Sequence, residues 1–189
     1  AINDAQASQT LVQAGLFHAG DDEVEVSICY TRRAVNAATK RGVPLGGGFL
    51  QVTIPDATKE VSAGAFQTCQ QVVVFFIPDS VTRIGNSAFA FCIALVRIDF
   101  PPSLTDIGDE VFFKCESLVG ITIPKSGISI GYRAFQGCKS LERIDIPPSV
   151  REIGNFAFAD CSSLRSVAIP DSVACIGHGV FKGCRSLVS

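Results

Sequence analysis

From about residue 50 onward the apolar positions recur with one long period, not with the spacing of a single helix or strand. Phe66, Phe89, Phe112, Phe135, Phe158 and Phe181 stand 23 residues apart. Cys69, Cys92, Cys115, Cys138, Cys161 and Cys184 keep the same interval, as do Pro55, Pro78, Pro101, Pro124, Pro147 and Pro170. Gly85, Gly108, Gly131, Gly154 and Gly177 march with them, and Ser62 takes the place of glycine in the first copy. Self-similarity at a period of about 20–50 residues implies a solenoid, a propeller or an array. No such unit buries its apolar side alone; stacked copies do.

One unit, LERIDIPPSVREIGNFAFADCSS from Leu141 to Ser163, predicts its own elements. Its opening fits the leucine-rich pattern L-x-x-L-x-L, with Ser149 at the Asn/Cys position. Alternation puts Ile144 and Ile146 inward on a short strand. The proline lacks an N–H and ends the ladder. Ser149 is expected to cap backbone groups in the turn, and Val150 to Ile153 to form a second short extended piece. Gly154 is expected to turn the next corner with a left-handed backbone. Ala157, Phe158 and Cys161 suit one helical or 3₁₀ turn with an inward apolar side. Stacking then yields a Phe ladder, an Ile-Gly ladder and a Cys ladder. The expected fold is a repeat solenoid: a right-handed leucine-rich-repeat array with a parallel β-sheet and short helical or 3₁₀ turns. It comprises five full units, 55–77 through 147–169, and a partial sixth.

The stretches IPDSVTRIGNSAFAFC (77–92), IPPSVREIGNFAFADC (146–161) and IPDSVACIGHGVFKGC (169–184) resemble the BspA-like leucine-rich-repeat family. That resemblance implies a non-enzymatic surface that binds other proteins, with cell-surface or extracellular placement as in the bacterial adhesins of the family. It covers residues 50–189 and says nothing about residues 1–49.

Residues 1–49 are expected to form a mixed cap of helix, strand and helix, because array ends expose apolar faces. Asn3 to Phe17 reads as a helix capped by Asn3 or Asp4, with Leu11, Val12 and Leu16 inward. Glu23 to Tyr30 alternates as a half-buried strand. Thr31 to Arg41 reads as a short basic helix, and Gly46 to Gly48 as a turn into a degenerate first strand. At the other end CRSLVS stops where the next strand would begin. This, with an alanine at position 1 and no methionine anywhere, leads to the expectation of a piece of a longer chain, continuing or covered at its C-terminal end.

Composition narrows the function classes. With 47% hydrophobic and 18% charged residues the chain folds, and a net charge of -2 offers no basic footprint for nucleic acid. The longest apolar run, Val72 to Ile77 within QQVVVFFIP, falls far short of the roughly 20 residues of a membrane span. The ladder cysteines come one per coil with parallel Cβ vectors, which suits neither disulfides nor tetrahedral zinc; they read as small buried hydrophobes. Cys29 and Cys175 read as accessible thiols. His18 and His178 lie too far apart for an obvious pair. No phosphate loop, dinucleotide fingerprint or metalloprotease motif occurs. No cofactor, no metal site and no catalysis are therefore expected.

The outward positions of the L-x-x-I-x-I strands are the candidate partner-binding residues. They are Val73, Val74 and Phe76, then Val96, Arg97 and Asp99, then Val119 and Thr122 beside Gly120, then Glu142, Arg143 and Asp145. Arg165, Ser166 and Ala168 continue the rows. Contiguous exposed apolar residues such as Val73, Val74 and Phe76 mark an interface, to be covered either by the N-terminal segment or by a separate protein. Arg97/Asp99 and Arg143/Asp145 also allow plain pairing within the sheet. The expected role is a non-catalytic protein-interaction scaffold or adhesion module. The alternative is a structural subunit of a large multiprotein assembly.

Overall fold

The structure is a computed structural model that describes residues 25–28, 50–127 and 129–188. The cap helices expected at Asn3 to Phe17 and Thr31 to Arg41, the glycine turn at Gly46 to Gly48, and Cys29 and His18 lie outside the described residues. Each coil contributes one longer and one two-residue strand. The longer ones are β2 (Leu50–Thr53), β4 (Val72–Phe76), β6 (Arg97–Asp99), β8 (Gly120–Thr122), β10 (Arg143–Asp145) and β12 (Ser166–Ala168). The short ones are β3 (Glu60–Val61), β5 (Arg83–Ile84), β7 (Asp106–Ile107), β9 (Ser129–Ile130), β11 (Glu152–Ile153) and β13 (Cys175–Ile176). β1 (Glu25–Ile28) pairs antiparallel with β2, inside the strand expected at Glu23 to Tyr30.

All other pairings are parallel and, apart from one slip between β2 and β4, in register, so equivalent residues of successive coils meet, as in Ile144↔Val167 and Ile153↔Ile176. The short strands make one six-stranded sheet, β13-β11-β9-β7-β5-β3. The longer strands make two, β1-β2-β4-β6 and β12-β10-β8.

The expected ladders fill the interior. Phe66, Phe89, Phe112, Phe135, Phe158 and Phe181 stack ring on ring, with centroids 5.5, 5.5, 5.4, 5.3 and 5.8 Å apart. Interplanar angles stay between 4° and 15°, the offset-stacked geometry the ring quadrupole favours. The column is a little wider than the roughly 4.8 Å between paired strands, so the rings slide past one another as they climb.

The third side of each coil is not the helical turn that Ala157, Phe158 and Cys161 suggested. No helix occurs among the described residues. Two residues per coil, four apart, are left-handed instead: Glu110 (φ 56°) and Lys114 (φ 56°) in one coil, Phe156 (φ 59°) and Asp160 (φ 59°) in another. Alternating handedness turns every second N–H along the solenoid axis toward the next coil. Glu110, Phe112 and Lys114 donate to the carbonyls of Tyr132, Ala134 and Gln136, all at 2.8 Å. The amides between them bond locally, as Phe113 N–H to Glu110 O at 3.0 Å. A helix would spend all these donors within its own turn. Here they zip the coils together, at the steric cost that L-residues meet in the left-handed region.

The glycine that recurs from Gly85 to Gly177 therefore has a different reason from the one expected. Gly154 is not left-handed. A Cβ there would lie 2.7 Å from the carbonyl carbon of Gly131 and from the amide of Tyr132. The corner needs glycine because two backbones touch, while left-handed geometry falls on Phe156 and Asp160.

Candidate binding surface

The longer strands set the outward residues in three rows. Row one is joined by main-chain bonds: Val96 N–H to Val73 O at 3.0 Å, Val119 to Val96 at 3.3 Å, Glu142 to Val119 at 3.1 Å and Arg165 to Glu142 at 3.3 Å. Row two contains Val74 beside Arg97, then Gly120, Arg143 and Ser166 in register. Row three contains Phe76 beside Asp99, then Thr122, Asp145 and Ala168.

Most sequence-predicted residues face out. Phe76 is 45% exposed. Arg97, Asp99, Thr122, Glu142, Arg143 and Asp145 are exposed, while Val74, Val96 and Val119 are half-buried. Val73 is the exception: it is 0% exposed and outside the main core cluster. The cause is a register slip. Leu50 pairs with Val72 and Gln51 with Val74, leaving Val73 opposite no residue. Such a bulge re-aims the local chain, and Val73 drops out of the exposed row. Val72 and Phe75 are core, as alternation required, and Ile77 packs half-buried against it.

The two Arg-x-Asp couples differ. Arg97 binds Asp99 within its strand, Nε to Oδ2 at 3.0 Å and Nη2 to Oδ2 at 2.8 Å. Both side chains are about three-fifths exposed, so the pair adds little stability. Among the described residues Glu142, Arg143 and Asp145 make no ion pair. Their charges remain available to a partner.

A second feature escaped the sequence reading. On the turn side Lys114 Nζ sits 5.6 and 5.5 Å from the ring centres of Phe91 and Phe113. Arg133 lies 4.7 Å from the Tyr132 ring and 6.0 Å from Phe156, with Glu110 at 3.7 Å. Such contacts are worth up to about 1 kcal/mol at exposed sites. Reading positions 91/114 and 133/156 down the 23-residue period would have put Phe beside Lys and Arg beside Phe. The helical expectation hid this column.

The cysteines do more than fill space. Each ladder Sγ–H from Cys92 onward donates to a phenylalanine carbonyl of the preceding coil: Cys92 to Phe66 at 3.1 Å, Cys115 to Phe89 at 3.1 Å, Cys138 to Phe112 at 3.3 Å. Burial pushes the Cys69 thiol up to about 12 and raises Cys92, Cys115 and Cys138 as well. Interaction with the Cys184 thiol, together with burial, raises Cys161, and the same interaction lowers the half-buried Cys184. Cys175 is exposed on β13 beside Glu152 of β11.

A shallow groove of about 420 Å³ runs along the second sheet past Asp109, Ser129, Tyr132, Glu152, Asn155 and Cys175. Much of its polar lining is committed to holding coils together. Asp109 Oδ1 accepts Tyr132 N–H at 2.7 Å, Asn155 Oδ1 accepts His178 N–H at 2.6 Å, and Ser129 Oγ donates to Asp106 Oδ1 at 3.0 Å. The His178 ring rests edge-on against Phe156 at 5.5 Å. Among the described residues no three His, Cys, Asp or Glu side chains converge on a metal-sized site. No described helix is long and apolar enough to cross a membrane.

Residues 59–188 match the BspA type leucine-rich repeat region in six copies. The chain belongs to this BspA-type leucine-rich-repeat family. Solved relatives carry the same architecture. TpLRR of T. pallidum is 38% identical with a TM-score of 0.69, over 74% of this chain and 72% of that one. A leucine-rich repeat protein of Bacteroides ovatus is 31% identical with a TM-score of 0.71, over 90% of this chain and 46% of that one. One from Eubacterium ventriosum, 23% identical with a TM-score of 0.65, covers 72% of this chain and 43% of its own and shows the fold alone. The BspA-type chain thus spans less than half the length of the latter two. Among curated proteins no sequence matches it.

Proposed function

We propose that this BspA-type array is a non-catalytic protein-interaction scaffold or adhesion module that binds another protein through its first-sheet face. The observation that carries this is the exposed Phe76, set beside half-buried valines and followed by the unpaired charges Glu142, Arg143 and Asp145. Apolar anchors ringed by polar groups suit protein recognition. The contact residues are Val74, Phe76, Val96, Arg97, Asp99, Val119, Thr122, Glu142, Arg143 and Asp145. Cell-surface or extracellular placement follows the family resemblance. Affinity capture from the native source should yield a protein partner, lost when Val74→Asp and Phe76→Ser are combined. Unchanged capture by a folded double variant would remove this face as the site.

A further inference from the structure

The coils are not all joined alike. Between the coil of β6 and the coil of β8 the first sheet is interrupted. The two strands are neighbours, and Val119 N–H still reaches Val96 O at 3.3 Å, yet no ladder forms between Arg97–Asp99 and Gly120–Thr122. Two glycines follow the break. Gly120 opens β8 where the other coils place Val74, Arg97, Arg143 and Ser166. A Cβ built on Gly120 meets nothing within 4 Å, so no side chain there packs across the strands. Gly127 stands where Val81, Leu104 and Val150 fill the core of other coils.

The serine links, by contrast, hold across the break, and the one that is missing lies farther along the array. Ser80, Ser103, Ser126 and Ser172 each donate Oγ–H to a carbonyl of the preceding coil, as Ser103 to Val81 O at 2.6 Å and Ser172 to Val150 O at 3.0 Å. Ser149, expected to cap its turn, follows Gly127 by one coil and has a buried Oγ without a partner. The remaining connections also cross the break intact. The six-stranded sheet is continuous, and on the turn side Phe89 and Phe91 donate to Val111 O at 3.0 Å and Phe113 O at 2.7 Å.

We infer that the boundary between β6 and β8 is a joint in the array. The coils up to Asp99 and those from Gly120 move as two blocks, opening on the first-sheet side about the unbroken second sheet and turn ladder. The joint lies in the proposed binding face but does not depend on any partner docking there. Its consequence for that face is geometric. The paired Arg97/Asp99 couple and the unpaired Arg143/Asp145 couple stand on opposite blocks, so a ligand touching both sets the angle between them. Glycine supplies the freedom, since neither Gly120 nor Gly127 contributes a side chain that resists opening.

Hydrogen exchange of the full chain tests this directly, because it reads local opening strand by strand. Ile98 and Ile144 are equally deep, at 1% and 3% exposed, so burial alone gives β6 and β10 the same protection. The joint requires amides of β6 and β8 to exchange at least about tenfold faster than those of β10. Gly120→Val should slow β6 and β8 selectively, by restoring a packed cross-strand side chain. Equal protection of β6, β8 and β10 in the wild-type chain overturns the joint, whether or not the variant folds. A folded Gly120→Val chain with unchanged exchange in β6 and β8 overturns it equally. Neither result bears on whether the face binds a partner, which the capture experiment decides separately.

Discussion

The turn side and the first-sheet side of this solenoid are built from the same 23-residue repeat, yet they tolerate variation very differently. On the turn side every described boundary carries the same three main-chain bonds, from Gly64, Phe66 and Thr68 at one end to Phe156, Phe158 and Asp160 at the other. The bonds persist even where the left-handed residue is Phe156, Arg133 or Thr68 and not glycine. On the first-sheet side the ladder bulges at Val73 and stops between β6 and β8. The turn ladder is backed by stacked rings and buried thiols, so backbone strain is outweighed by packing. The sheet face is backed by rows of mixed valine, isoleucine and phenylalanine, and its outer side answers only to solvent. Rigidity has been placed on one side and variety on the other.

The sharpest test of this contrast removes a ring from the spine. Phe112→Ala opens a cavity between two stacked neighbours and should cost about 3–5 kcal/mol, read as a fall in the denaturant midpoint. Phe76→Ser on the opposite side should change stability by less than about 0.5 kcal/mol. Comparable losses at both positions would erase the distinction.

Glycines give the next comparison. A methyl on Gly131 would lie 2.5 Å from the carbonyl carbon of Gly108, so Gly131→Ala should destabilise by about 1–3 kcal/mol through forced backbone movement. Gly120→Ala enters open space and should be neutral or stabilising by up to about 1 kcal/mol. Thermal melts of the two variants check the opposite signs.

The thiol column makes the spine pH-sensitive. Cys69 is pushed to about 12 by burial, from 9.0 when unfolded. Below pH 9 the thiol is protonated in both states and its contribution is constant. Between pH 9 and 12 the unfolded chain gives up a proton that the folded chain retains, so stability falls as pH rises. Cys69→Ala should lessen that fall by up to about 1.4 kcal/mol per pH unit, measured by urea titrations at successive alkaline pH values. An unchanged slope would mean the thiol is not buried as described.

The smallest expected effect concerns strain within the turn ladder. Thr68 is left-handed at φ 64°, where Gly137 and Gly183 occupy the equivalent places of later coils. Thr68→Gly should stabilise by about 1 kcal/mol, since a β-branched residue is least at ease there. A loss of stability would show that the Thr68 side chain contributes more than its backbone strain removes.

Much of the fold was legible because stacking makes equivalent positions meet. The Phe and Cys columns, the inward Ile144 and Ile146, and the outward Cys175 all follow from reading one unit and repeating it. What could not be read were departures in the backbone. Ala157, Phe158 and Cys161 match a helical turn in apolar spacing, but the coil's donors turn to a neighbour that single-unit reasoning does not include. Gly154 signalled a special position without saying which constraint made it special. Val73 fell in an outward row only because a bulge of one residue is invisible to alternation.

The sequence by itself determined the coil: its length, its strands, its inward ladders and its membership of the BspA-type repeats. These follow from periodic burial, which depends only on which residues recur and how far apart. Tertiary structure alone decided how the coils are joined. Alternating left-handed residues carry the turn-side bonds, a glycine corner lets two backbones touch, and the first sheet breaks at Gly120. Each depends on a backbone meeting the coil beside it, and that meeting has no signature within a single unit.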